Sequence, residues 1–346
     1  MGYAFTLALC NLLFPDVPTG AYVHYPTIST DMLGSLDEGG HGVNAGAGSG
    51  WKGVAKRHYW HLFARMYSWV GGNVDVVMTN SSWTQAHIRS LWGPSRAQRK
   101  KAFEVQVVFP PVAVSELEQQ IEVSAASEEQ REPVLLYIAQ FRPEKDHTLI
   151  LRSFAEYLPV SANPQTKLVL IGSVRHSDDA TRVYKLRLLA HELKIKDHVV
   201  FICDASWPEI LDWLRRSSVG VNGMWNEHFG IGVVEYQAAG LVSVVHDSGG
   251  PKQDIVVEYD GGPTGAPSSY GDTLFPQILT GAMYSYRLPC KHFERLRLRL
   301  CNGSQLVEGR DACDAETRAV ISQTLHRGGL CRAVDHTDGT LGPAPD

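Results

Sequence analysis

Two carboxylates flank a glycine-containing turn in the stretch 226–235, which reads Asn-Glu-His-Phe-Gly-Ile-Gly-Val-Val-Glu. Gly230 and Gly232 would let a diphosphate approach backbone N–H groups at the start of a predicted helix, where unpaired donors and the helix dipole favour negative charge. Glu227 precedes the helix, and Glu235 lies about two turns further along. Carboxylates accept hydrogen bonds from hydroxyl groups. The spacing therefore predicts a nucleotide-sugar site, with Glu227 facing the sugar and Glu235 facing the ribose.

The alternative is an ordinary amphipathic helix that carries a solvated glutamate. The neighbouring sequence favours the site, because apolar runs at 218–221 and 241–245 place the stretch between two strands of a βαβ unit. In open parallel sheets, ligands bind where a strand passes into its helix.

A pair of cations follows a second predicted strand. Residues 134–139 form a continuous apolar run typical of a buried strand, and Arg142 and Lys145 come directly after it. A planar guanidinium and a compact ammonium suit the two phosphates of a departing nucleoside diphosphate. The alternative is two ordinary surface cations, but cations are disfavoured near a helix N-terminus unless an anion is supplied.

Three motifs lie in this part of the chain: Phe141-Arg-Pro-Glu-Lys145, the stretch 226–235, and Ser248-Gly-Gly-Pro-Lys-Gln-Asp254. Together they resemble the retaining GT-B glycosyltransferases of the GT4 type, and within them the mannosyltransferases that extend dolichol-linked oligosaccharides. The resemblance extends over about residues 1–262 and includes His24-Tyr-Pro26. It implies an α/β fold of the GT-B type, in which two Rossmann-like domains face a cleft, the first of them incomplete.

The resemblance implies an enzyme that transfers mannose from GDP-mannose, with retained configuration and without a metal or other cofactor. The acceptor would be a dolichol-linked oligosaccharide destined for protein N-glycosylation, at the cytosolic face of the endoplasmic reticulum membrane. The expected partners are GDP-mannose, the dolichol-linked acceptor, the membrane surface and other mannosyltransferases of the pathway. Two alternatives stay open: a noncatalytic fragment that binds GDP, and a GT4-type transferase that uses another nucleotide sugar.

The resemblance also implies a role for each matching residue. Arg142 and Lys145 would stabilise the departing GDP, Glu227 would hold the mannose and Glu235 the ribose. The backbone of the turn would contact phosphate and sugar through Phe229, Gly230, Ile231 and Gly232.

His24 matches an amino-terminal histidine that touches the transferred sugar in the family. It ends a predicted strand, and its role would be to orient or polarise the substrate. A lone histidine in such a position is also often a structural residue, and that alternative stays open. No metal ligands are predicted, since the Asp178-Asp179 pair suits the acidic first turn of a helix.

Length and charge limit the class of protein. A chain of 346 residues usually exceeds one hydrophobic core, which favours two domains. The 32 Lys and Arg against 37 Asp and Glu give a formal charge of −5, which argues against a nucleic-acid partner bound through a broad basic surface. The six cysteines lack zinc spacing and are predicted to be reduced thiols.

The predicted domains are a partial amino-terminal Rossmann-like domain (1–122), a linker (123–132), a donor-binding Rossmann-like domain (133–262) and a divergent tail of unassigned structure (263–346). No apolar run is long enough to span a membrane, and the stretch 3–14 lacks the basic leader of a signal peptide. We also expect the family's amino-terminal anchor and first glycine-rich loop to be missing.

An aromatic stretch at 59–69 contains Tyr59, Trp60, Phe63, Met66, Tyr67 and Trp69. Core packing of a helix is the favoured interpretation, and a lipid-facing patch is the alternative. Asn80-Ser-Ser82 is predicted to cap the next helix.

Overall fold

The computed structural model describes residues 3–36, 50–100, 104–161, 163–259, 262–263 and 265–268. In chain order, the helices and strands of the amino-terminal half are α1 (Tyr3–Leu13), β1 (Gly20–Val23), α2 (Thr30–Gly34), α3 (Gly50–Gly71), β2 (Val76–Thr79), α4 (Ser82–Gln98) and β3 (Val105–Val107).

The carboxyl-terminal half alternates strands with helices over most of its length. Its elements are α5 (Val114–Gln120), α6 (Ala125–Glu129), β4 (Glu132–Ile138), α7 (His147–Tyr157), β5 (Lys167–Gly172), α8 (Ser177–Glu192), β6 (Val199–Cys203), α9 (Trp207–Arg216), β7 (Ser217–Asn222), α10 (Ile231–Ala238), β8 (Val242–His246), β9 (Glu258–Tyr259), β10 (Gly262–Pro263) and β11 (Gly265–Ser268). A 3-10 turn at Pro143–Lys145 and a π-helical turn at Pro251–Ile255 lie beside the site described below.

Each half is built on a parallel sheet. The amino-terminal sheet has the order β1-β2-β3. The carboxyl-terminal sheet has the order β11-β8-β7-β4-β5-β6, and all of its strand pairs are parallel. Strand β4 has β5 on one side and β7 on the other, so the winding of the chain reverses there. Such a reversal leaves a crevice at the carboxyl ends of the two strands, where open α/β sheets bind ligands.

Strand β4 shows how the sequence builds this sheet. Successive side chains of a strand point to opposite faces. Leu135 and Tyr137 pack on the face covered by α7 and α8, while Val134 and Leu136 pack on the face covered by α5, α9 and α10. A strand with both faces covered needs apolar residues at every position, which explains the continuous run.

The aromatic stretch of helix α3 packs differently from the favoured interpretation. Core packing is confirmed for Tyr67, which is 3% exposed, and Trp60 and Phe63 are partly buried against the same core. It is wrong for three other side chains, whose exposed fractions are Tyr59 63%, Met66 44% and Trp69 59%. An exposed apolar stripe therefore runs along this helix.

The structure adds detail at both predicted boundaries of the second domain. The segment 123–132 contains helix α6, which Ser124 caps through a reciprocal pair of hydrogen bonds with Ser127. Strand β11, within the segment predicted as tail, pairs with β8. The alternating run 295–300 lies outside the described residues, and the domain boundaries stay predictions.

Ser81 caps helix α4, which confirms the capping prediction. Its side-chain oxygen accepts a hydrogen bond from the backbone N–H of Thr84 at 3.1 Å. Cys10 and Cys203 are not joined to another cysteine among the described residues. The other four cysteines lie outside the described residues.

Candidate functional site

A cavity of about 320 Å³ lies at the carboxyl ends of β4 and β7. This is the point where the winding of the sheet reverses. Both halves of the chain line it. The lining residues are His24, Asn80, Pro110, Tyr137, Ile138, Ala139, Lys145, Asn222, Glu227, His228, Phe229, Gly230, Ile231, Gly232 and Tyr236.

The turn before helix α10 presents its backbone to the cavity. Gly230 has a φ of 107°, in the left-handed region, and a Cβ at that position would lie 2.9 Å from the Cγ of Pro251. Around Gly232 the space is open, since the nearest atom to a Cβ there would be the carbonyl oxygen of Ile138 at 3.9 Å. The first N–H groups of a helix have no acceptor within it. The turn therefore has backbone N–H groups that could donate to an anion, and its role in binding one stays a prediction.

A second pair of glycines, Gly249 and Gly250, packs against the loop that carries Glu227. The N–H of Gly250 donates to the carbonyl oxygen of Glu227 at 2.7 Å. Gly249 has a φ of 71°, and a Cβ there would lie 2.8 Å from the backbone nitrogen of Glu227. The backbone N–H of Asn226 donates to Ser248 Oγ at 2.7 Å. The Ser248-Gly-Gly segment therefore supports the acidic loop by close backbone contact.

Lys145 and Glu227 form an ion pair at the cavity wall. The distance from Lys145 Nζ to Glu227 Oε2 is 2.5 Å, and the two side chains are 23% and 14% exposed. The ammonium also lies 3.1 Å from Met224 Sδ. The buried Tyr137 hydroxyl donates to the carbonyl oxygen of Lys145 at 2.6 Å. The cation is thus held in place at both its backbone and its side chain.

Two predicted site residues lie outside the cavity wall. Arg142 precedes the 3-10 turn, its side chain is 39% exposed, and its Nη1 lies 3.9 Å from Glu144 Oε1. Glu235 lies on α10 and is half-buried, and burial raises the pKa of its carboxyl group. His24 does line the cavity, with its ring 4.7 Å from the ring of Tyr22. The structure thus brings together His24, Lys145, Glu227 and the turn 229–232.

His228 takes a larger part in the site than its sequence position indicates. Its ring stacks on Tyr25 of the amino-terminal half at 4.0 Å and lies 5.6 Å from the ring of Trp83. Burial lowers the pKa of His228 to about 4, so the ring is neutral at pH 7. It therefore adds an aromatic surface beside Lys145 without adding charge.

Sequence reasoning missed Tyr137 and Tyr236. The hydroxyl of Tyr236 accepts a hydrogen bond from the N–H of Ile138 at 2.7 Å, at the end of β4. Tyr137 lies in an apolar run and Tyr236 lies between two polar residues of α10, and both rings are buried. The only signal is the hydroxyl itself, since a buried tyrosine usually requires a hydrogen-bond partner.

Among the described residues, no group of three or more His, Cys, Asp or Glu side chains is arranged to hold a metal ion.

Two family models match the chain. Residues 119–268 match "Glycosyl transferases group 1", and residues 1–92 match "ALG11 mannosyltransferase N-terminus". Among solved structures, the chain is similar to Anabaena Alr3699/HepE in complex with UDP, with a TM-score of 0.56 and 14% identity over 94% of this chain and 76% of that one. It is also similar to sucrose-phosphate synthase of Thermosynechococcus elongatus, with a TM-score of 0.56 and 18% identity over 79% of this chain and 62% of that one. On fold and sequence, the chain belongs to the group 1 glycosyltransferases with the GT-B fold.

The similarity is more specific among curated proteins. Relatives named GDP-Man:Man(3)GlcNAc(2)-PP-Dol alpha-1,2-mannosyltransferase include one from Neurospora crassa, 62% identical over 312 residues, which are 86% of this chain and 55% of the relative. The relative from Homo sapiens is 41% identical over 286 residues, which are 79% of this chain and 56% of the relative. These findings confirm the resemblance read from the motifs. The chain spans about half the length of the curated relatives it matches.

Proposed function

We propose that this chain transfers mannose from GDP-mannose to Man3GlcNAc2-PP-dolichol in α-1,2 linkage, with retained configuration. The names of its curated relatives supply the donor and the acceptor. The geometry that carries the proposal is the ion pair of Lys145 and Glu227, which shares the cavity wall with the open backbone at Gly232. The cavity therefore offers groups that suit a diphosphate and a carboxylate that suits sugar hydroxyls.

The proposed chemistry rests on charge stabilisation by the chain's own groups. When the bond between the anomeric carbon and the diphosphate oxygen breaks, its electron pair stays with GDP and negative charge grows on the diphosphate. Lys145 and the N–H groups that begin α10 would stabilise that charge, which is the kind of preorganised field that lowers such barriers. Arg142 would join them from the adjacent turn, and no metal is part of this proposal.

Each end of the donor would have its own carboxylate. Glu227, at the cavity wall, would hold the mannose hydroxyls, and Glu235, on α10, would accept from the ribose. His24, from the amino-terminal half, would contact the transferred sugar. The acceptor hydroxyl would reach the anomeric carbon from the side of the amino-terminal sheet, because His24 and Asn80 line that side of the cavity. As the new bond forms, the proton of that hydroxyl would pass to the departing diphosphate.

Transfer of labelled mannose to Man3GlcNAc2-PP-dolichol tests the proposal directly. We expect Glu227→Ala to lower the rate of mannose transfer by at least about 10²-fold, because loss of substrate positioning has an effect of that size. Glu192→Ala, at the exposed end of α8, is the matched control and should transfer normally.

Two outcomes would contradict the proposal. Folded protein that binds GDP and transfers no sugar would indicate the noncatalytic alternative. Transfer from another nucleotide sugar in preference to GDP-mannose would indicate a different GT4-type donor.

We further propose that helices α1 and α3 bind the surface of the membrane that carries the acceptor. That membrane would be the endoplasmic reticulum, at its cytosolic face. Other mannosyltransferases of the pathway would be partners there. The two helices pack on each other. Both present apolar side chains to solvent at helical spacing: Phe5, Leu9 and Leu12 on α1, and Tyr59, Leu62, Met66 and Trp69 on α3.

Charge supports the same surface. Helix α3 contains Lys52, Lys56, Arg57 and Arg65, and neither α1 nor α3 contains an Asp or Glu. A basic helix with exposed aromatic and aliphatic side chains suits an anionic lipid interface. Within the part of the chain that the structure describes, no helix has the length and hydropathy of a membrane span.

Binding to lipid vesicles checks this surface. We expect the double variant Leu12→Glu with Leu62→Glu to lower the affinity for phosphatidylcholine–phosphatidylserine vesicles by at least about tenfold, because it removes two apolar anchors and adds two negative charges. Tyr184→Glu, at an exposed position of α8, is the control. Equal vesicle binding by the double variant and the control would rule this surface out.

A further inference from the structure

A hydrogen bond crosses between the two halves of the chain immediately beside Glu227. The side-chain Nδ2 of Asn226 donates to Asp31 Oδ2 at 2.7 Å, although the two residues are 195 positions apart. We propose that Asp31 is a positioning residue that sets the orientation of Glu227 toward the sugar. The proposal rests on the role of Glu227 in the proposed function, and neither the motifs nor the family resemblance assigns this role to Asp31.

Asn226 is the residue through which such an orientation would be set. Its φ is 53°, in the left-handed region, so the peptide that leads into Glu227 is turned sharply. Its backbone N–H is already held by Ser248 Oγ of its own domain at 2.7 Å. The hydrogen bond to Asp31 adds a second anchor from the amino-terminal half. Two anchors on one turned residue fix the backbone from which the Glu227 side chain projects.

Asp31 is itself firmly held, which an anchor requires. It lies in the first turn of α2, a helix capped by Ser29, whose side chain accepts from the N–H of Met32 at 3.0 Å. His87 of α4 approaches the same carboxylate oxygen, with its Nε2 3.3 Å from Oδ2. The other ring nitrogen of His87 lies 2.7 Å from Thr30 Oγ1. Asp31 is therefore fixed by two helices of the amino-terminal half.

A second cross-domain bond offers a comparison. Asp254 Oδ2 accepts from the backbone N–H of Ser82 at 2.8 Å, at the N-terminus of α4. That bond also joins the two halves, but it does not touch the loop that carries Glu227. If Asp31 served only to hold the halves together, loss of its bond would lower the stability, as loss of the Asp254 bond should, and would leave kcat of the folded protein unchanged.

Exchange of the two side chains tests the proposal. Asn226→Asp alone places two carboxylates against each other and should lower kcat by about 10- to 100-fold, since small displacements of reacting groups cost that much. The double variant Asp31→Asn with Asn226→Asp restores a donor facing an acceptor. It should recover kcat to within about threefold of the wild type, although position 226 still carries a carboxylate.

The affinity for GDP should stay within about threefold of the wild type in each of these variants, because Glu227 faces the sugar rather than the diphosphate. Asp254→Ala, which removes the acceptor for the Ser82 N–H, should lower the midpoint of urea unfolding, and the exchange at positions 31 and 226 should not restore that loss.

The outcomes separate this inference from the proposed function. Wild-type protein that transfers no mannose would contradict the proposed function. Wild-type transfer with an Asn226→Asp defect that the exchange does not rescue would overturn the inference alone. Urea unfolding of the wild type, Asn226→Asp, Asp31→Asn and the exchange variant does not depend on activity. Additive shifts of the unfolding midpoint would show that the two side chains are not coupled, and would also overturn the inference.

Discussion

Lys145→Met will lower mannose transfer by about 10²- to 10³-fold, the cost of removing one preorganised charge from a leaving-group site. Lys145 is the cation that lines the cavity, and the Tyr137 hydroxyl fixes its backbone. Methionine keeps the length and apolar stem of the side chain but removes the ammonium. Single-turnover transfer from GDP-mannose measures the effect on the chemical step, and calorimetric titration with GDP measures the effect on binding.

The control for this prediction is Lys185→Met, at an exposed position of α8. A transfer rate for Lys145→Met within about threefold of that control would contradict a role for this ammonium in catalysis. Lys145→Met also leaves Glu227 without its partner. Glu227→Gln, made alone and together with Lys145→Met, removes that unpaired charge and completes a double-mutant cycle. The further loss of transfer that Lys145→Met causes in the Glu227→Gln protein belongs to the lost cation.

Gly249→Ala will disrupt the acidic loop and cost about 2–4 kcal/mol of the free energy of unfolding, in the upper range for a single substitution. The φ of 71° alone costs an L-residue about 1–2 kcal/mol. The added methyl group would also meet the backbone of Glu227, which cannot move aside as a flexible side chain could. Urea unfolding measures the stability loss, and the same protein should lose at least about 10²-fold in transfer, because Glu227 is displaced.

Gly34→Ala is the matched control. Gly34 ends helix α2 outside the left-handed region, and a Cβ there would meet no atom within 4 Å. Its stability should change by no more than about 1 kcal/mol. If Gly249→Ala were as stable and as active as Gly34→Ala, the close contact between the two loops would have no role in the site.

Strands of the second sheet could be predicted from sequence because they are buried on both faces. The apolar run at 134–139 corresponds to β4, and the runs at 218–221 and 241–245 correspond to β7 and β8. Such strands need no alternation and little context. Helix α6 falls in the predicted linker because five residues are too few to show periodicity, and its capping pair of serines also suits a loop.

The aromatic residues of α3 show a different limit of sequence reasoning. Tyr67 and Trp69 are two positions apart, yet one is buried and the other is 59% exposed. Aromatic composition favours a core, but the position on the helix decides exposure, and that depends on which neighbour covers each face. Neither α1 nor α4 covers the stripe of Tyr59 and Trp69, a fact of tertiary packing that no local pattern contains.

The site was predictable where a turn or a charge is required, and unpredictable where packing supplies the contact. Gly230 and Gly232 can be predicted because an anion needs access to the backbone, and Lys145 because a cation near a helix N-terminus is disfavoured unless an anion is supplied. The bond between Asp31 and Asn226 joins segments 195 residues apart, which no spacing rule covers. Whether Arg142 and Glu235 reach a bound donor depends on side-chain rotation, so their roles stay predictions.

Lys145 and Glu227 neutralise each other's charge in the absence of a ligand. A stray phosphate or a free nucleotide gains little from Lys145, because taking the lysine strands a glutamate that is 14% exposed, and separating such a pair is costly. A neutral sugar that binds Glu227 alone would likewise leave the Lys145 ammonium without its partner. Only a molecule that brings an anion and hydroxyl groups together compensates both partners at once. If the pair binds the donor as proposed, it would favour the intact sugar nucleotide, which supplies a diphosphate to Lys145 and sugar hydroxyl groups to Glu227.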